Sequence, residues 1–206
     1  MRLDKLIPEF DGRVKIRERA FPLEVFGNDP PNRSQIEVEK WLAALQEPLA
    51  EFQPYEADDY PATTLPTFDA AWCAFQQGEK LGHAYDMQIR KAFFARGRNI
   101  AKREVLFEIA EETGLEIHQF VQLFDSGTAR QHILDEGQLG LDRYRVHGTP
   151  TLMLADGTKL RHPIAYPNMV GDKIIKVGIL PCHGEGCLDI TRGFFEKALQ
   201  AVIINH

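Results

Sequence analysis

Along most of the chain the apolar residues recur at steps of three and four, and only a few short stretches alternate at steps of two. Leu3, Leu6, Ile7 and Phe10 share one face of an opening helix, which Asp11 and Gly12 end. From Arg13 the period changes. Val14, Ile16 and Glu18 fall on one side and Arg13, Lys15 and Arg17 on the other, which predicts a strand over "RVKIRERAF". After a loop at "FGNDPP", Ser34 reads as an N-cap, with Glu37 completing a capping box. The helix it starts runs through Trp41, Leu42 and Leu45 to about Phe52. Residues 53–66 are punctuated by proline and lack a period.

A long helical stretch follows. Phe68, Ala71, Trp72, Phe75, Leu81, Tyr85, Ile89, Phe93 and Phe94 keep the helical spacing, with Gly78 or Gly82 as the interruption. Further helices are predicted over 101–114, ended by Gly114, over 116–127, ended by Gly127, and over 129–146, where Gly137 and Gly140 weaken the pattern. Beyond Val146 the character changes again. "TPTLMLADGTKLR" reads as two strands around Asp156-Gly157, a hairpin signal. "DKIIKVGIL" supplies a third short strand. A closing helix buries Leu188, Phe194, Phe195, Leu199 and Val202. The order is helix, strand, a block of helices, hairpin, helix. This is an α/β pattern interrupted by a helical block, not the regular alternation of a doubly wound sheet.

Composition narrows the function classes. The 44% hydrophobic and 26% charged content of these 206 residues suits one sizeable globular core. A net charge of −6, with dispersed basic residues, argues against nucleic acid as the main partner. No segment approaches the roughly 20 apolar residues of a membrane span, and the charged opening "MRLDKL" does not read as a secretory signal. The expectation is therefore a cytoplasmic protein without a membrane partner. Three cysteines are too few for a disulfide scaffold. Cys73 lies on an apolar helix face and reads as a core thiol.

"HGTPT" ahead of an apolar hairpin strand resembles the cis-proline loop of thioredoxin-like proteins. The segment "AFFARGRNIAKREVLFEIAEETGLEIHQFVQLF" is similar to the helical insertion of the DsbA-like oxidoreductases, the FrnE-type branch above all, with Phe93, Phe94, Gly97, Ile100, Val105, Leu106, Ala110, Gly114 and Leu115 in matching places. The resemblance implies a single DsbA-like domain over 1–206, with thioredoxin-like parts at 1–27 and 145–206 and a helical insertion at 34–143. It implies a cis Thr149-Pro150 bond that presents the backbone of Thr149 to a substrate peptide. His147, Thr149 and Pro150 are the expected substrate-binding residues, and the expected activity is thiol–disulfide exchange with a polypeptide or small thiol. No cofactor and no metal is implied.

The Cys-x-x-Cys that carries this chemistry in the family is not found in the sequence, and the first strand of the sheet is also missing from it. Residues 14–20 would then lack a neighbour on the side facing "TLMLA", at about 1–3 kcal/mol for each buried unpaired backbone group. Three readings follow: the given chain starts inside the first helix of a longer protein; "KIIKVGIL" or a strand from a second copy in a homodimer fills the place; or the resemblance is misplaced. Cys182 and Cys187, in "LPCHGEGCLD", are the remaining redox candidates. Glycines let that segment fold back, Cys187 falls near a helix N-terminus that stabilises a thiolate, and His183 is adjacent. A zinc site would need His162 or His147 as a further ligand. Two other functions share the fold: a glutathione-dependent transferase or isomerase of the kappa class (2-hydroxychromene-2-carboxylate isomerase-like), with a serine in place of the first cysteine, and a non-catalytic peptide-binding or dimerisation module.

Overall fold

The computed structural model describes residues 2–47, 50–161, 167–171, 173–178, 182 and 185–204, with the backbone alone for residue 2 and residues 201–204. The chain divides into two compact units. One comprises residues 1–18, 41–50 and 148–206; the other comprises 19–40 and 51–147.

The second unit is all helical. Its elements are α2 (Leu23–Phe26), the first half of α3 (Arg33–Gln46), α4 (Leu65–Phe75), α5 (Glu79–Phe94), α6 (Arg103–Thr113), α7 (Ile117–Asp125) and α8 (Thr128–Asp142). The three-and-four spacing converges on one core, in which Cys73, Tyr85, Leu106 and Phe120 are fully buried. The Tyr85 hydroxyl donates to the Leu106 carbonyl at 2.9 Å and ties α5 to α6. The long predicted helix breaks at Gly78, whose φ of +117° is closed to side-chain-bearing residues. The N-cap of α3 is Asn32, not Ser34. The Asn32 Oδ1 accepts from the Gln35 amide at 3.1 Å, so the helix begins two residues earlier than the capping-box reading gave. It ends at Gln46, short of Phe52.

The first unit holds α1 (Arg2–Leu6), a 3-10 turn (Ile7–Phe10), the tail of α3, two hairpins and α9 (Glu185–Ile204). Strands β1 (Thr151–Met153) and β2 (Lys159–Arg161) pair antiparallel, Leu152 opposite Leu160. Asp156 caps their turn by accepting the Thr158 amide at 2.8 Å. Strands β3 (Pro167–Val170) and β4 (Lys173–Val177) form the other hairpin, which leaves Ile174 and Ile175 exposed. The predicted "KIIKV" strand is therefore present, but its partner β3 was not anticipated. The core is Leu6, Phe10, Leu188, Phe194 and Phe195, with Phe10 and Phe195 edge to face at 5.5 Å. Leu199 joins this core as expected; the side chain of Val202 lies outside the described residues.

Residues 13–21 do not form the predicted strand. Their alternation holds at its start: Val14 and Ile16 pack on the core, while Arg13, Lys15 and Arg17 are exposed. Glu18 is exposed too and does not join the inward side. The physical reason is the absence of a ladder. Among the described residues no strand lies beside this segment, and β1 has its pairing with β2. An alternating pattern sets which side chains face inward, whereas a strand also needs a neighbouring backbone to bond.

Candidate active site

The chain enters β1 through a turn that the sequence builds locally. The Thr149-Pro150 peptide is cis. The Thr151 hydroxyl donates to the Gly148 carbonyl at 2.6 Å and so clasps the turn. Gly148 is buried, Thr149 half-buried and Pro150 exposed. This arrangement leaves the turn's outer face on the surface. His147 is also exposed and belongs to the helical unit.

Cys182 and Cys187 are joined in a disulfide, with Cα atoms 5.1 Å apart. This lies inside the range that a disulfide requires. The bond lies in the same unit as the cis-proline turn. Cys187 is the third residue of the 20-residue α9 and has no exposure. Its sulfur thus belongs to the first turn, where unpaired backbone amides form the positive end of the helix. Glu185, in the same turn, is exposed, so its opposing charge is screened by water. Cys182 keeps 9% exposure. The Gln46 side chain, at the last residue of α3 and 2% exposed, donates its Nε2 amide to the Cys182 sulfur at 3.5 Å.

The other predicted groups divide as follows. Cys73 is a fully buried free thiol, and burial, followed by the nearby Asp69 carboxylate, pushes its pKa up to about 12. It is a core residue, not a nucleophile. His162 and His183 lie outside the described residues. Among the described residues no three His, Cys, Asp or Glu side chains converge as metal ligands. Sequence reasoning missed Gln46 entirely. A polar residue at the end of a helix carries no signal of its own, and the contact spans 136 positions.

A hairpin entered through a cis-proline turn and a helical block are the arrangement of a thioredoxin-like protein with a helical insertion. The chain belongs to the DSBA-like thioredoxin domain family, whose profile matches residues 1–170. Among solved structures it is similar to the cytosolic disulfide reductase DsbM from Pseudomonas aeruginosa. The TM-score is 0.56 and the identity 21%, over 97% of this chain and 92% of that one. A second structure of DsbM, with GSH, matches at a TM-score of 0.49 and 24% identity, over 77% of this chain and 71% of that one. The fold is thus DsbA-like: a thioredoxin-type architecture carrying a helical insertion, here mostly helical with small antiparallel sheets. No helix among the described residues is long and apolar enough to cross a membrane.

Proposed function

We propose that this chain exchanges thiols and disulfides with a small thiol or a polypeptide in the cytosol, and that Cys182 and Cys187 are its exchanging pair. The observation that carries the reading is the bonded pair itself, set at the N-terminus of α9 within the unit that holds the cis-proline turn. A thiolate of the reductant attacks the Cys182 sulfur, the one of the two with residual exposure. A new disulfide forms to Cys182, the Cys182–Cys187 bond breaks, and its electron pair leaves on Cys187 as a thiolate stabilised by the helix end. A second thiolate then attacks the reductant's sulfur in the mixed disulfide. The reductant leaves as its own disulfide, and Cys182 takes the second electron pair. Two electrons have then passed to the protein, and running both steps backwards oxidises the partner.

The similar DsbM is by its description cytosolic, and cytosolic disulfides in most organisms are transient and reactive rather than structural. Thr149 and Pro150 are then the backbone site for an extended substrate. In this reading the thioredoxin-like parts are residues 1–27 and 145–206, and the helical insertion is 34–143.

The test is insulin reduction driven by dithiothreitol. The wild-type chain should accelerate it, and Cys182→Ala should reduce the rate to that of dithiothreitol alone. An unchanged rate in Cys182→Ala removes the pair from the mechanism.

A further inference from the structure

Gln46 is a polar side chain held almost out of water, and burying an amide is costly unless it is bonded. One of its partners is the Cys182 sulfur. A disulfide sulfur has no hydrogen to give, so only the N–H side of the amide is complementary to it. Once the bond is reduced, the same N–H faces a sulfur carrying negative charge. A hydrogen bond to a charged group is stronger than one to a neutral group. The contact is therefore weak in the oxidised pair and stronger in the reduced one, which is the condition for shifting an equilibrium between them.

We propose that Gln46 is the positioning residue of the Cys182–Cys187 pair: its buried amide, reaching across from the end of α3, fixes the Cys182 sulfur and favours the reduced form. The assignment rests on the exchange reading above. It divides the work between the sulfurs. The first turn of α9 serves Cys187, which leaves first, and Gln46 serves Cys182, which is released second. Lys5 engages the neighbouring Glu47 carboxylate at 3.5 Å, so the one anionic side chain adjacent to Gln46 in sequence is neutralised.

The test is the equilibrium constant between the pair and glutathione. The full chain is equilibrated in mixtures of reduced and oxidised glutathione, quenched with acid, alkylated, and the peptides holding Cys182 and Cys187 are weighed. Three variants are compared with wild type: Gln46→Met, which keeps the volume and removes the donor, Gln46→Leu, and Gln46→Glu, which places a carboxylate against the sulfur. The constant for reduction should fall about tenfold in Gln46→Met and Gln46→Leu, the scale of one charge-assisted bond, and further in Gln46→Glu. If Gln46 matters only for packing, Gln46→Met keeps the wild-type constant; that result overturns the assignment and leaves the exchange reading standing. A wild-type pair that never reduces while the chain stays folded overturns the exchange reading, and this assignment with it. Thermal melting of each oxidised variant identifies any that fails to fold, and the Gln46→Met constant then decides.

Discussion

At the scale of single residues, bonding separates the three cysteines into two kinds: Cys182 and Cys187 are joined to each other, and Cys73 is a free thiol. Cys73 has no exposure and a raised pKa, so in the native protein it should be inert to a thiol reagent such as Ellman's. One thiol should react only on unfolding, and fast labelling of Cys73 in the folded state would contradict the assignment. Tyr85 makes the same point for a hydroxyl. Tyr85→Phe leaves the ring in place and removes the bond to Leu106, so chemical denaturation should show a loss of about 1–2 kcal/mol. Glu24 is a third case. Burial acts to raise its pKa, but hydrogen bonds from Thr64 and Thr63 outweigh that and hold it below the usual carboxylate range. A folded-state pKa below the unfolded one contributes stability that is complete above the unfolded value and is lost as pH falls through the folded one. Glu24→Gln should therefore reduce stability at neutral pH by about 1 kcal/mol, and the gap to wild type should close in acid below about pH 4. A gap that stays constant from pH 7 to pH 3 would contradict it. The apolar spacing made the burial of Cys73 legible in the sequence. The partners of Tyr85 and Glu24 were not legible, because each lies 21 or more positions away and no local pattern encodes it.

Among the elements, helices could be read and the extended segment could not. A helix bonds within itself, so its apolar face and its stop signals are both local, and α6 ends at Gly114 with φ of +81° as its sequence implies. Residues 13–20 gave an equally clean alternation and yet make no strand, since a ladder depends on a second segment. Strand β3 failed for the converse reason. "PNMV" has little strand character, and its proline argues against a central strand, whereas β3 is one edge of a two-stranded sheet. Gly137 shows what element packing demands. An added Cβ would stand 2.0 Å from the Phe26 ring, where α2 meets α8. Alanine is the better helix former by about 1 kcal/mol, but overpacking costs typically 1–3 kcal/mol. Gly137→Ala should therefore lower the melting temperature, and a rise would mean that Phe26 moves aside freely.

For the molecule as a whole, the resemblance read from the hairpin and the helical insertion agrees with the family that the chain belongs to. Family membership explains the cis-proline turn and the inserted helices, but supplies no Cys-x-x-Cys to this sequence. The redox chemistry we assign instead uses a cysteine pair at the far end of the chain, with one sulfur at a helix end and the other against a buried amide. The order of attack on that pair is the most direct test. The folded protein is exposed briefly to reduced glutathione, quenched with acid, and digested for mass mapping. Our account predicts an intermediate with glutathione on Cys182 and a free thiol at Cys187. Glutathione found on Cys187 instead, or a bond that opens only when the chain unfolds, would contradict it.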